Sequence, residues 1–239
     1  MIVTIHQPEH LPWLGFLHKA AQADVLVLLD QVQFRKNYFQ NRNRLRGPQG
    51  AVWVTVPVLT KGRAEQPIRT VEINNIGSPR WAGKYWHSLE TLYRKAPFWD
   101  THAGFFEDVC RTSWSRLSEL NERIIGYLLE AFDISIRILR ASDLHVSGQR
   151  SELLLNLCQA VGAQTYLSGI SGRTYLDEAA FSRSGIGVRY QEFHHPIYRQ
   201  LHEPFLPCMA AVDVLFNHGP VGGDILRGIG VPTMEQVFE

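Results

Sequence analysis

The chain of 239 residues has few features of secreted, membrane or metal-binding proteins. Its three cysteines, Cys110, Cys158 and Cys208, lie far apart without a CxxC pair, which argues against a disulfide framework and a cysteine zinc site. No apolar run approaches the ~20 residues that span a bilayer, and no signal-peptide pattern opens the chain. A net charge of +1 gives no reason to expect a stable nucleic-acid partner. We therefore expect a soluble cytoplasmic protein without membrane association.

Strand and helix patterns alternate through most of the chain. This alternation predicts an α/β fold with a doubly wound, mostly parallel sheet. The predicted strands cover 2–5, 25–29, 51–58, 68–73, 134–138, 165–168 and 187–193, and the second is a continuous apolar run typical of a strand buried on both faces. The predicted helices cover 13–21, 81–95, a longer stretch carrying apolar residues from 105 to 128, and 152–161. We expect one domain over 1–239, a helical subdomain over 79–131, and a hairpin of 51–58 with 68–73 at the sheet edge.

The first strand runs into a loop with two histidines, His6 and His10, ahead of a helix. In an open α/β sheet, ligands bind at the carboxyl ends of strands. Because Pro8 separates the histidines and Pro12 follows, both precede or open the helix, and a metal pair of the H-E-x-x-H kind is not expected. One histidine donates to a ligand phosphate or carbonyl, or else it caps the turn.

A basic and amide-rich segment follows Asp30, which closes the second strand. No acidic residue lies between Gln31 and Lys61. Amides recognise sugars and amino acids by directional hydrogen bonds, and Arg and Lys hold phosphate or carboxylate. The candidates in this segment are Asp30, Gln33, Lys36, Asn41, Arg42 and Asn43, with a solvated loop and a short RNA-binding patch as alternatives.

Two further segments carry candidate ligand-binding residues. The loop after strand 165–168 contains two glycines and two serines, whose backbone N–H groups could approach an oxyanion, with Arg173 as counter-charge. It matches neither the Walker A nor the G-x-G-x-x-G pattern. The other segment holds Glu192, His194 and His195. Adjacent side chains of a strand face opposite ways, so one of these histidines is structural, and the choice between Glu192 and His194 as a general base stays open.

These segments together resemble the WbqC-like family. The shared pattern comprises His6-Gln7-Pro8, Leu11-Pro12-Trp13-Leu14-Gly15, Lys19, Asp24, Asp30, Val32-Gln33-Phe34, Asn41-Arg42-Asn43, Pro57, Tyr166-Leu167-Ser168-Gly169, Tyr175-Leu176 and His195-Pro196-Tyr198. The family is associated with O-antigen biosynthesis, and the resemblance implies transfer of glycine or another amino acid to a sugar amine.

A more distant likeness concerns the loop Gln7-Pro8-Glu9-His10-Leu11 and the segment 168–176. They look like the HxGH loop and the second nucleotide-binding loop of nucleotidylyltransferases and pantothenate-synthetase-like ligases, which have HUP or Rossmann-like folds. That likeness implies ATP, with Mg²⁺, as a cofactor and gives His10 the role of the second histidine. The sequence departs from the pattern because Gln7 and Glu9 replace the first histidine and the glycine, and Glu9 would repel phosphate unless it points away.

The leading hypothesis is an amino-acid or acyl transferase, or an ATP-dependent amide ligase, that joins an adenylated or otherwise activated carboxylate to an amine. The expected catalytic residues are His6, His10, Lys36 and Arg42. The expected substrate-binding residues are Gln7, Lys19, Asp30, Gln33, Asn41, Asn43, His194, His195 and Tyr198. The expected nucleotide or phosphate contacts are Ser168, Gly169, Ser171, Gly172, Arg173 and Tyr175. Small molecules, an acyl carrier protein or an aminoacyl-tRNA are the expected partners, and a non-catalytic ligand-binding protein is the alternative.

Overall fold

The fold is built on a parallel sheet of five strands, in a computed structural model that describes residues 1–76 and 81–234. The strands of this sheet are β1 (Ile2–His6), β2 (Val25–Leu28), β5 (Arg137–Arg140), β6 (Thr165–Ser168) and β7 (Gly187–Tyr190). Their order across the sheet is β5-β2-β1-β6-β7, and every neighbouring pair runs parallel. The predicted α/β fold with a mostly parallel sheet is therefore confirmed.

Helices cover both faces of the sheet, so its central strands are apolar on both sides. All four residues of β2 are buried. Leu26 and Leu28 belong to the larger core cluster, whereas Val25 and Val27 belong to a second cluster with apolar residues of the helix Arg150–Ala160. Two separate cores are the expected result of alternate side chains pointing to opposite faces.

Eight helices surround the sheet in the described part of the chain. They are α1 (Leu14–Ala20), α2 (Trp81–Tyr93), α3 (Trp99–Arg111), α4 (Leu117–Ala131), α5 (Arg150–Ala160), α6 (Glu178–Arg183), α7 (Val212–His218) and α8 (Gly222–Leu226). Helices α2 to α4 fall within the segment 79–131, of which residues 79–80 lie outside the described part. Their apolar side chains join the larger core cluster. The description of this segment as a subdomain stays a prediction.

The prediction of one long helical stretch between 105 and 128 is wrong. The chain leaves the helical path between α3 and α4 and passes beside the segment 70–73. Glu72 forms an isolated antiparallel bridge with Arg116, and the Leu117 N–H donates to the Val71 carbonyl. Long-range backbone pairing therefore interrupts a pattern whose apolar spacing alone reads as continuous helix.

The predicted hairpin of 51–58 with 68–73 at the sheet edge is wrong, although Val58 and Ile73 form one isolated antiparallel bridge. Strand β4 (Gly50–Thr55) pairs with β3 (Arg42–Gly47) in a separate antiparallel sheet of two strands. The segment around 68 instead forms a short 3-10 turn, Ile68–Thr70. Arginines in alternate positions made β3 look like a polar loop, although Leu45 between them is fully buried.

Two predicted strands are shorter than their patterns suggested. The chain before β5 is still tied to α4, because the Ile134 N–H donates to the Leu129 carbonyl. After β7, Gln191 turns away and its Nε2 donates to the Gly15 carbonyl at the start of α1, 2.8 Å away. The apolar pattern therefore begins before the first paired residue of β5, and it continues after the last paired residue of β7.

The strand order reverses at β1. Strands β2 and β5 lie on one side of β1, and β6 and β7 lie on the other. In open α/β sheets, the crevice at the carboxyl ends of the strands beside such a reversal is the usual ligand site. The loops after β1 and β6 therefore form the expected ligand site.

Candidate functional site

A cluster of three ionisable side chains lies at the carboxyl end of β1. His6 is the last residue of this strand, and Glu9 follows in the loop. Lys19 comes from the last turn of α1, and its Nζ donates to the Ile5 carbonyl, 3.2 Å away. A helical side chain leans toward the N-terminus of its helix, which brings the lysine back toward the end of the strand. We call His6, Glu9 and Lys19 the β1 cluster.

His6 is held in one orientation. Its ring packs edge-on against Phe16, with 4.8 Å between the ring centroids. Its Nδ1 lies 3.0 Å from the Gln7 carbonyl oxygen. A carbonyl only accepts, so Nδ1 carries the proton and Nε2 is an acceptor. Burial and the charge of Lys19 lower the pKa of His6 to about 3, against the opposing effect of the Gln7 hydrogen bond, so the ring is neutral at pH 7.

Glu9 and Lys19 ionise close to neutral pH. Burial raises the pKa of Glu9 to about 7, although the charge of Lys19 acts in the opposite direction. Burial lowers the pKa of Lys19 to about 8, and the charge of Glu9 opposes this. The Glu9 side chain is 12% exposed, and its buried Oε2 makes no hydrogen bond with the described residues. Side chains with such shifted pKa values are candidates for acid–base roles.

Hydrogen bonds join the loop of the β1 cluster to the basic segment. Gln40 Nε2 donates to Gln7 Oε1 at 2.7 Å, and the backbone N–H of Arg35 donates to Gln40 Oε1 at the same distance. Gln40 is buried and Gln7 is half-buried. Lys36 is exposed beside this link. The predicted residue Gln7 is therefore joined through Gln40 to the basic segment that carries Lys36.

His10 lies in the core rather than at the protein surface. The residue has no exposed surface, and its Nδ1 lies 2.9 Å from Asn121 Oδ1. Its ring packs edge-on against Tyr85. Burial lowers its pKa to about 4, although the Asn121 hydrogen bond raises it. Its contacts connect the loop after β1 to helices α2 and α4.

The predicted amides are buried or bonded to the backbone. Asn41 Nδ2 donates to the Val56 carbonyl, and Asn43 Nδ2 donates to the Leu11 carbonyl at 2.7 Å. Gln33 is exposed, and its Nε2 donates to the Ala64 carbonyl. These contacts fix the positions of β3 and its neighbouring loops.

The arginines of β3 mostly hold other parts of the chain. Arg46 is 2% exposed and donates to the carbonyls of His202 and Pro204. Arg42 donates to the Asn37 carbonyl, and its guanidinium lies over Trp53, 4.3 Å from the ring centroid. The arginines of the basic segment therefore mainly stabilise the fold through contacts with other parts of the chain.

Asp30 is 3% exposed, and its carboxylate is hydrogen-bonded at the edge of the sheet. Its two carboxylate oxygens accept from the backbone N–H and the hydroxyl of Ser142, at 2.9 and 2.7 Å. Because β2 adjoins β1, Asp30 lies one strand from His6: the Leu29 N–H donates to the His6 carbonyl.

The segment after β6 forms a 3-10 turn, Ile170–Thr174. Ser168 is 1% exposed, and its hydroxyl donates to the Gly169 carbonyl. Gly172 is buried so close to this hydroxyl that a Cβ there would lie 2.1 Å from it. Ser171, Arg173 and Tyr175 are exposed, and Arg173 lies over the ring of Tyr190. Of the predicted phosphate contacts, these last three have side chains open to a ligand.

The candidate residues His194, His195 and Tyr198 have different surroundings in the structure. His194 is exposed, whereas His195 Nε2 accepts from the Cys208 N–H and its Nδ1 lies 2.8 Å from the Pro196 carbonyl. Tyr198 is 5% exposed and donates to buried Asp213. His195 and Tyr198 thus hold the loop that follows β7.

A buried polar network around Asp213 was not predicted. Its carboxylate accepts from Tyr93 at 3.0 Å, from Tyr198 at 2.9 Å and from Gln200 at 2.8 Å. Burial raises its pKa, whereas these hydrogen bonds and Arg46 lower it. No local motif marks Asp213, because its partners come from distant segments. Glu9 was considered only as a repulsive charge, although its place beside His6 after a strand was a usable signal.

The described residues, 1–76 and 81–234, contain no group of three or more His, Cys, Asp or Glu side chains arranged to hold a metal ion. They also contain no helix long and apolar enough to cross a membrane.

Comparison with known proteins places the chain in a family. The model of the WbqC-like protein family matches residues 7–225. The uncharacterized protein Rv1507c of Mycobacterium tuberculosis is 34% identical over 227 residues, which cover 94% of this chain and 97% of that protein. No solved structure matches the chain. The chain belongs to the WbqC-like protein family.

Proposed function

We propose that this protein is an enzyme that transfers an acyl group from an activated carboxylate to an amine. The observation that carries the proposal is a pair of facing acceptors in the β1 cluster. His6 Nε2 and Glu9 Oε1 are 3.9 Å apart, too far for a hydrogen bond between them. This separation allows one nitrogen to stand about 2.9 Å from both atoms and to donate a hydrogen to each. A primary amine of the acceptor is such a group.

The pKa of Glu9 suits it to act as the base. When the amine attacks the acyl carbon, the N–C bond forms and the bond from that carbon to its activating group breaks. The activating group leaves with the electron pair, and the proton on nitrogen goes to Glu9. A base with a pKa of about 7 is substantially ionised at neutral pH and still holds the proton well.

Lys19 and His6 support this step in different ways. Lys19 carries a positive charge near Glu9, which favours the ionised carboxylate. His6, neutral and fixed by Gln7 and Phe16, positions the amine by accepting its second hydrogen. Holding two reactants in one geometry supplies much of the rate enhancement in such a reaction.

The residues of the site suit a donor that is already activated when it binds. They are less suited to binding ATP. His10, to which the HxGH likeness gives a phosphate contact, is buried and bonded to Asn121. Ser168 is buried as well. Ser171 and Arg173 are exposed, but they alone do not form the two loops of an adenylating enzyme. We therefore derive no step through ATP or Mg²⁺, and we propose a thioester on an acyl carrier protein or an aminoacyl-tRNA as the cytoplasmic donor.

A transfer assay tests the proposal. Amino sugars are incubated as acceptors with glycine and other amino acids, supplied as thioesters, as aminoacyl-tRNA, or free with ATP and Mg²⁺, and amide products are detected by mass spectrometry. We expect Glu9→Gln to lower turnover by about 10²–10⁴-fold. Glu65→Gln, which removes an exposed carboxylate, is the matched control. Unchanged turnover in Glu9→Gln would contradict the role of Glu9.

The buried position of His10 favours a second candidate function. A protein that keeps the scaffold and binds an amine without reacting would need no phosphate contact from this histidine. In that case amines stabilise the protein in thermal-shift titrations, Glu9→Gln weakens this effect, and no donor yields a product.

A further inference from the structure

A polar cavity opens at the carboxyl edge of the sheet, beyond β2. It encloses about 220 Å³ between the ends of β2 and β5 and the first turn of α4. Three arginines from separate segments line it: Arg69 from the 3-10 turn, Arg116 before α4, and Arg140 at the end of β5. We call this cavity the arginine pocket.

Neighbouring groups hold two of the three guanidinium groups in place. Arg116 Nη1 donates to the Thr70 carbonyl at 2.6 Å and to Glu72 at 3.3 Å. Arg140 Nε donates to Glu122 at 2.6 Å, which leaves its terminal nitrogens without a hydrogen bond among the described residues. A guanidinium fixed through one nitrogen can still offer a bidentate pair of donors to an anion.

The Arg69 side chain makes no hydrogen bond or ion pair with the described residues, whereas its backbone N–H donates to the Asp30 carbonyl, 2.8 Å away. This bond fixes the 3-10 turn over the end of β2. The Arg69 guanidinium therefore lies at the rim of the pocket with its hydrogen-bond donors free of other described residues, and its backbone is held beside Asp30.

The other walls supply both donors and carboxylates. Helix α4 has no side-chain cap, so its first turn adds backbone donors and the positive end of its dipole. Asp30 and Glu119 also line the pocket, but both carboxylate oxygens of Asp30 already accept from Ser142. Guanidinium donors mixed with carboxylates suit a ligand that combines an anionic group with hydroxyl or amino groups.

From this arrangement we infer that the arginine pocket binds the phosphate or carboxylate group of the acceptor. That the bound anion belongs to the acceptor rests on the proposed function. That the pocket binds an anion does not. Adjacent strands lie about 4.8 Å apart, so the pocket is about one to two strand spacings from His6 at the end of β1. An amine whose anionic group sits in the pocket can reach the β1 cluster.

Calorimetric titration at constant ionic strength tests the inference. The probes are inorganic phosphate, acetate, glucosamine, and glucosamine 6-phosphate. We expect glucosamine 6-phosphate to bind more tightly than glucosamine, and Arg69→Gln and Arg140→Gln each to weaken phosphate binding about tenfold or more, the usual loss for a hydrogen bond to a charged group. Tighter binding of acetate than of phosphate would assign the pocket to a carboxylate.

Arg137→Gln is the matched control, because Arg137 is an exposed arginine at the opposite end of the same strand as Arg140. An equal loss in all three variants would reduce the effect to net charge and overturn the inference, as would binding of neither anion to the wild-type protein. Glu9→Gln should keep full anion binding. If it also keeps full turnover, the proposed function fails while the anion site stands.

Discussion

Replacing Glu9 by Gln should stabilise the protein at neutral pH. Burial raises the pKa of this carboxyl from its ordinary value of 4.5 to about 7. Below pH 4.5 the carboxyl is protonated in both the folded and the unfolded chain, so it has no effect on the pH dependence of stability. As pH rises from 4.5 to 7, the unfolded chain ionises first, and the folded state loses stability relative to it.

The size of this effect follows from the two pKa values. Each pKa unit corresponds to 1.36 kcal/mol, so ionised Glu9 costs the folded state about 3 kcal/mol at pH 7.5. The free energy of unfolding of Glu9→Gln minus that of the wild type should therefore rise by about 3 kcal/mol between pH 4 and pH 7.5. A constant cost of burying the glutamine amide cancels from this comparison.

Urea denaturation of both proteins across this pH range measures the difference. Glu65→Gln removes the same charge from an exposed position and reports the effect of net charge alone. A difference between wild type and Glu9→Gln that stays constant from pH 4 to pH 7.5 would refute the reasoning. A stabilising variant without activity would show that Glu9 is retained for function at the expense of stability.

Three further predictions concern other buried polar groups. His10→Ala should lower the free energy of unfolding by about 2–4 kcal/mol in urea denaturation, because it leaves a cavity and removes the partner of Asn121; unchanged stability would contradict the core position. Tyr93→Phe should cost about 1–2 kcal/mol in the same assay, since Asp213 loses one of its hydrogen bonds, and a neutral result would show that this bond adds nothing. Because the pKa of His6 is lowered in the folded state, the unfolded chain binds a proton at this histidine below pH 6.5 and the folded chain does not. The free energy of unfolding of His6→Gln minus that of the wild type should therefore increase from pH 6.5 toward pH 4. A difference that stays constant over this range would contradict the lowered pKa of His6.

The sheet was predictable because its signals are local. The run 25–29 is apolar throughout, as a strand covered on both faces must be, and strand 165–168 agrees with β6 to the residue. The β3–β4 hairpin was missed because Arg42, Arg44 and Arg46 look solvated in the sequence. Their charges are instead satisfied by Trp53 and by carbonyls of the distant segment around 202–208.

The candidate site was predictable in part. The loop after β1 was expected to carry function, and His6, Gln7 and Lys19 do lie together there. The sequence does not reveal that His10 turns into the core, because its partner Asn121 is 111 residues away. The arginine pocket was missed for the same reason: its cations come from three segments that only the fold brings together.

The most direct test of the account follows the ionisation of Glu9 itself. The carboxyl carbon of glutamate is labelled with ¹³C, its NMR signal is assigned with Glu9→Gln, and the signal is titrated in the wild type and in Lys19→Met. We expect a midpoint near pH 7 in the wild type and a higher midpoint in Lys19→Met, because the lysine charge that lowers the pKa of Glu9 is gone. A wild-type midpoint near 4.5, or the same midpoint in both proteins, would contradict it.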